Sequence, residues 1–483
     1  MTMPVLFNKK NRMTKFAGFC LIVCSVLIGG CAALPFHKRN LNKGQEALRH
    51  GDIQTAYNKL KTFAENKGDS VDAVLAYLEM GNVCRFTDEP ENSLKYFGKA
   101  ENLIAEFMEE AEFKISDEGA AALTNLRSLP YRGKDYERIM MNTYNALTYM
   151  SLGEFNKARV ELRKAYEWQA EAVHRNKKRI EKAEESARGN GGGDNKYDVQ
   201  RALQDATFQS NLQKMNATVD KFNAYADYVN PFCEWLQALY YMAEPADVSD
   251  LHHAEKSLER VQGMVGDNCY VKEDLALAQS LINGAEFPPL TYVVFASGNV
   301  PDIGQIRLDI PVFLLSDNVD YVGANFPRLI EDDNYVATLM VCTDEGSCRA
   351  RLLADMDSVV AHEFKNRLPI VITKTLIATA VKASIAQAAR KATEDNQVAN
   401  IVTRVVAAGY QITMNQADMR SWKTLPKQFQ YARMPTPENG RLVLKPQGGP
   451  ERSVNVTPGK INFVYVRSFT PGAKLFINKF TLR

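Results

Sequence analysis

The chain has 483 residues, of which 45% are hydrophobic and 24% charged, and its formal charge is +2. That length exceeds one typical core and predicts roughly two to three domains of ordinary globular composition. The near-neutral balance sets up no overall field for nucleic acid or acidic lipid, so no nucleic-acid partner is expected.

The first thirty residues have the layout of an export signal. Lys9, Lys10, Arg12 and Lys15 form a basic start, and an apolar run over 16–28 follows. The run is too short for a bilayer span, which needs ~20 residues. It ends in Leu27-Ile28-Gly29-Gly30-Cys31, which resembles the bacterial lipobox, where an aliphatic and two small residues precede an invariant cysteine. The resemblance implies cleavage before Cys31 and lipid on its thiol and new amine, leaving 1–30 as signal peptide and 31–40 as a lipid-anchored tether. Two or more acyl chains anchor stably where one does not. Ala32 in place of Asp favours the outer membrane, facing the periplasm. A Sec signal that merely ends near a cysteine is the alternative.

From 41 to 286 the pattern predicts tetratricopeptide-like helical repeats, pairs of antiparallel helices of about 34 residues. Gly44, Ala56, Leu60 and Phe63 share their spacing with Gly81, Ser93, Phe97 and Ala100, and with Ala146, Ala158, Leu162 and Ala165. Small residues at the first, second and last offsets allow close backbone approach, and the larger residue is expected to fill the gap left by the neighbouring repeat. Gly51 and Gly153 suit positive-φ turns between paired helices, with Phe155 following as a staple. The second repeat departs, carrying Asp88-Glu89-Pro90 at its turn, where Pro90 loses no needed donor. A fourth, degenerate pair is expected over 232–241 and 251–261. Residues 165–230 between the third and fourth pairs predict a helical hairpin with a flexible tip at Gly189-Asn190-Gly191-Gly192-Gly193-Asp194. That tip lacks the Lys-Ser/Thr of a phosphate loop.

Past Phe287-Pro288-Pro289 the texture turns to strand alternation, predicting a separate C-terminal α+β domain over 287–483. Strands are expected at 290–296, 306–315, 335–342, 348–353, 441–445, 461–467 and 474–479, and helices at 356–364, 369–393 and 397–408. The run 368–389 contains Lys374, Lys382 and Gln387 and is predicted to be a buried helix rather than a membrane span.

A search for catalytic chemistry finds little, and no metal or other cofactor is expected. There is no serine-hydrolase elbow. His362-Glu363 begins like a zincin helix, but Asn366 stands where a second histidine is required. Asp355 and Asp357 suit an N-cap at a strand-to-helix junction. Five cysteines follow the anchor, namely Cys84, Cys233, Cys269, Cys342 and Cys348. Cys342 and Cys348 flank a turn between strand-like runs and are the candidates for a hairpin disulfide.

One stretch stands out: Gln416-Ala417-Asp418-Met419-Arg420-Ser421-Trp422-Lys423-Thr424-Leu425-Pro426. With Tyr292, Ser297, Gly298, Asn299 and Pro301, and with Tyr321-Val322-Gly323-Ala324-Asn325-Phe326-Pro327, it resembles a family of bacterial lipoproteins of unassigned function. Those proteins join tetratricopeptide-like helices to a C-terminal domain with an Asp-x-Arg-x-Trp-x-x-Leu-Pro signature. The resemblance implies an envelope location and transfers no activity. In an extended segment Asp418, Arg420 and Trp422 share one face, so the tryptophan is expected to pack on the guanidinium. The cluster reads either as a structural ion pair or as a recognition site for a peptide or glycan.

The expected function is that of a non-catalytic envelope platform. Helical solenoids offer long concave surfaces to envelope proteins, and a lipid tether confines them to the membrane plane. The alternative is a ligand-binding or enzymatic module in the C-terminal part, docked by the repeats.

Overall fold

Helices pair where the small-residue offsets place them. In this computed structural model the described residues are 34–87, 89–113, 129–189, 199–217, 219–222, 225, 228–312, 320–391 and 417–482. The leader and Cys31, the glycine tip over 190–194, positions 313–315 and the helix expected at 397–408 lie outside them.

The pairs are α1 (Leu34–Arg49) with α2 (Ile53–Lys67), α3 (Ala73–Cys84) with α4 (Pro90–Phe113), and α5 (Asp135–Ser151) with α6 (Phe155–Gly189). A Cβ on Gly44 would meet Leu60 Cγ at 2.6 Å, and one on Gly81 would meet the Phe97 ring at the same distance. Ala56, Ser93 and Ala158 are wholly buried. The large residue therefore fills the gap opposite the small residue of its own pair, not that of the neighbouring repeat. Gly51 and Gly153 adopt φ of 76° and 74°, which side-chain-bearing residues avoid.

The stretch expected as a two-armed helical hairpin has one long arm only, α6. Its return is broken into α7 (Val199–Gln204) and α8 (Ala206–Asn216), because the Asp205 carboxylate accepts the Phe208 amide and starts a new helix. The fourth pair is α9 (Pro231–Ala243) with α10 (Val248–Val265), and α11 (Cys269–Ile282), not expected from the sequence, packs on α10.

The sheet-rich part begins at β1 (Leu290–Ser297). Then come β2 (Asp302–Val312), β3 (Asp320–Ile330), β4 (Leu339–Thr343), β5 (Gly346–Arg349), β6 (Arg351–Asp355) and α12 (Met356–Lys391). The chain closes with β7 (Gln428–Pro435), β8 (Arg441–Pro446), β9 (Arg452–Asn455), β10 (Asn462–Ser468) and β11 (Phe476–Thr481). A five-stranded sheet runs β11-β10-β1-β7-β6, with β1 and β10 parallel and its other neighbours antiparallel. Strands β5-β4-β8-β9 form a second sheet, and β2-β3 a long hairpin. The two helices expected at 356–364 and 369–393 are one continuous helix that carries Pro369 inside it. Among the described residues no helix is long and apolar enough to cross a membrane.

The expectation of a separate C-terminal domain gives way to a shared core. One apolar cluster runs from Leu41 through the helix pairs to Leu482. The register puts Tyr292, Phe429, Tyr431, Phe463, Tyr465 and Arg467 on one face of the five-stranded sheet, and the first helix of every pair meets this part of the chain. The Arg49 carbonyl accepts from the Thr470 hydroxyl at 2.6 Å. Asn82 donates to Thr424, Tyr144 lies 3.5 Å from Tyr465 through their hydroxyls, and Phe232 stacks on Phe429 at 3.8 Å. The concave face expected to be free for partner proteins is filled by the protein's own sheet. A smaller core joins α7, α8, the β2-β3 hairpin and α12 through Phe208, Leu212, Ile310, Phe326, Leu368 and Ile372.

Candidate functional site

Of the sequence candidates, Asp418, Arg420 and Trp422 are fully visible, and they seal the joint between helices and sheet. Arg420 grips Asp418 through two bonds of 2.7 and 2.6 Å, and Nη1 also donates to the Val71 and Leu129 carbonyls at 3.0 Å. Its guanidinium lies over Tyr131, 5.1 Å from the ring centre, not over Trp422 as expected. Trp422 instead turns inward, wholly buried, with its edge contacts to Phe97 at 5.5 Å and Tyr144 at 5.9 Å. Its backbone amide donates to Glu137 at 2.8 Å and its indole to Thr424 at 3.0 Å. Arg420 and Trp422 are buried in the joint, whereas Asp418 keeps part of its surface in water.

The candidate disulfide is contradicted by the register. In the β4-β5 hairpin Cys342 stands opposite Ser347 and Cys348 opposite Val341. A one-residue offset puts the two sulfurs on opposite faces, because side chains alternate along a strand. All five cysteines named above are free thiols. Asp355 does start α12, accepting the Asp357 amide and the Ser358 hydroxyl.

Buried carboxylates lock the helices to the sheet. Glu79 accepts from Gln45, from the Lys423 amide and from the Thr424 hydroxyl, and burial still pushes its pKa up to about 7. Asp274 accepts from the Trp235 indole and from the Tyr292 and Tyr431 hydroxyls, and burial raises it to about 6 against the pull of Arg433. Glu137 takes the Tyr131 hydroxyl and the Lys134 amide.

A third cluster, which sequence reasoning missed, gathers where α5 begins between α6 and α12. The Asp135 carboxylate receives Arg138 at 2.8 Å, Arg175 at 3.0 Å and Arg179 at 3.2 Å. Burial pushes its carboxyl up, and Arg138, Arg179 and Arg175 together pull it below its ordinary range. Glu363 accepts the Asp135 and Tyr136 amides at 3.0 Å each, capping α5, and also binds Arg367 at 3.2 Å. Burial lowers Arg138 to about 10. Trp168 lies 5.1 Å from the Arg138 guanidinium and 4.7 Å from that of Arg175. Beside them Tyr228, at φ 58°, packs edge-on against His362, whose ring nitrogen lies 2.9 Å from the Asn366 amide. The His362, Glu363 and Asn366 noted in the sequence thus stand in an arginine-rich junction. Arginines dispersed over three helices leave no motif from which to foresee it. Among the described residues there is no group of side chains arranged to hold a metal ion.

A cavity of about 450 Å³ opens beside the edge strand β6, lined by Asn268, Thr338, Arg349, Arg351, Gln428 and Gln430 among others. Gln430 donates to the Ala337 carbonyl at 2.7 Å, while its buried Oε1 has no hydrogen-bond donor.

No family model and no curated protein matches the chain. Among solved structures it is similar to the crystal structure of a tetratricopeptide repeat protein from Parabacteroides merdae ATCC 43184. The match has 14% identity and a TM-score of 0.14, covering 50% of this chain and 98% of that one. A superposition that loose carries no weight for the fold, which rests on the helix pairs and their small-to-large contacts.

Proposed function

We propose that the protein is a non-catalytic platform of the bacterial cell envelope, anchored by lipid on Cys31 and facing the periplasm from the outer membrane, that binds partner proteins through the outer row of its helix pairs. The observation that carries this reading is the division of the helical surface. The first helices α3, α5 and α9 are spent on the protein's own sheet, whereas α6 leaves Tyr166, Ala170 and Val173 exposed at a spacing that puts them on one face. Arg260 of α10 reaches over Tyr166 at 5.8 Å, giving that apolar strip a charged border. A welded core makes such a strip a rigid surface, and rigidity lowers the ordering cost of binding.

Photo-crosslinking in living cells from positions 166 and 173 tests the platform. One discrete protein adduct shared by both positions and lost in Val173→Asp is expected; no shared adduct would overturn it. For the anchor, Cys31→Ser is expected to release the protein from membranes or leave a precursor, and normal processing with membrane retention would sink that part.

The second reading, a ligand-binding module, is favoured by the cavity beside β6. Its arginines and the unsatisfied Gln430 acceptor suit a small polar molecule bearing both an acid group and a donor. Gln430→Leu is expected to abolish such binding, at some cost in melting because the Ala337 carbonyl loses its donor.

A further inference from the structure

The junction of α5, α6 and α12 holds more positive charge than its acids neutralise. Asp135 and Glu363 between them already serve Arg138, Arg175, Arg179, Arg367 and two backbone amides. A carboxylate offers about four lone-pair sites, so neither has much left to give. Glu171 adds one half-exposed partner, 2.8 Å from Arg175 Nη1, and the buried Nε of Arg175 has no acceptor.

Above this floor two helices face each other with like charges. Arg175 and Arg179 lie one turn apart on α6. Arg367 and Lys374 lie two turns apart on α12, which packs against it. The Arg179 and Arg367 side chains keep 33% and 39% of their surface in solvent, and Lys374 is exposed. Burial, and then the charges of Arg367, Arg132 and Arg179, hold the Lys374 ammonium below its ordinary pKa. Among the described residues no carboxylate lies within ion-pair distance of Lys374.

We propose that the solvent-facing seam where α12 packs on α6 binds a phosphate-class oxyanion, held by Arg179, Arg367 and Lys374. Guanidinium forks match a tetrahedral oxyanion with paired N–H donors, and the ammonium supplies a third, mobile charge. The anion relieves the repulsion between the two facing helices, which the two floor carboxylates leave uncancelled. The same chemistry reaches the site from a soluble phosphate compound or from a phospholipid headgroup, the latter within reach of a membrane-tethered protein.

Calorimetric titration of the full-length protein in neutral detergent distinguishes the sources, using inorganic pyrophosphate in one arm and short-chain phosphatidylglycerol in the other, with short-chain phosphatidylcholine as control. Saturable pyrophosphate binding supports the soluble source; binding of phosphatidylglycerol without pyrophosphate or phosphatidylcholine supports the headgroup. Lys374→Gln removes a side chain with no ion pair and is expected to weaken binding about tenfold or more. Lys374→Glu is expected to abolish binding while raising the melting temperature of the ligand-free protein, because it cancels like-charge repulsion. Binding that is absent in both arms, or undiminished in Lys374→Gln, overturns the proposal.

Discussion

Phe97 lies against the bare Cα of Gly81, so close that an added Cβ would stand 2.6 Å from its ring. The same ring also packs at an angle on Trp422, with 5.5 Å between ring centres. The small-to-large contact of the second helix pair thus also positions the segment that joins helices to sheet. Gly81→Ala is expected to overpack this point and to cost about 1–3 kcal/mol in urea unfolding. Ala158→Trp is expected to act in the same direction at the third pair, where Ala158 is wholly buried. An unchanged midpoint in either variant would count against these contacts.

Removing the Arg420 side chain takes the paired charge from Asp418 and Asp72 and the guanidinium donor from the Val71 and Leu129 carbonyls, although Asp418 keeps the backbone amide of residue 420 and Val71 keeps that of Tyr131. The Arg420 side chain is 5% exposed and that of Asp418 is 27% exposed. Arg420→Ala is therefore expected to cost about 3 kcal/mol, the low end for a broken buried pair because Asp418 keeps some water. Melting and cellular abundance should fall together. A fully stable Arg420→Ala protein would mean that this joint is not held as described.

Stability should fall as the solution goes from mildly acidic to mildly basic. Glu79 has its carboxyl raised from 4.5 to about 7 in the folded protein. Above the ordinary value the unfolded chain releases that proton while the folded one retains it, so folding loses ground until the pH passes about 7. Asp274, raised to about 6, and Asp357, raised to about 7 despite its bond to Lys427, act in the same sense. Melting curves at about pH 5 and about pH 8 should show the drop, and Glu79→Gln should flatten it. An identical slope in the variant would remove Glu79 from the account.

Alkylation of the unreduced native protein should modify both Cys342 and Cys348. Cys84 and Cys233 should react only after unfolding, since both are buried and burial pushes each thiol up to about 12. Recovery of a linked Cys342–Cys348 peptide would show that the β4-β5 register differs from the one described.

What the sequence by itself determined is local. The offsets around Gly44, Gly81 and Ala146 disclosed which helices pair, because a missing side chain on one helix must be met by a large one sixteen residues on. Gly51 and Gly153 announced their turns, since positive φ is a property of a single residue. The β-branched and aromatic run beginning at Leu290 announced strands. Tertiary structure decided the rest. Whether Trp422 covers Arg420 or enters the helices depends on Phe97 and Tyr144, hundreds of residues away in sequence. Whether Cys342 faces Cys348 depends on register, where one step reverses every side chain. The closing of the concave helical face by the sheet, and the meeting of Asp135, Arg179 and Arg367, follow from burial of apolar surface between remote segments. That force is non-directional and leaves no mark in spacing along the chain.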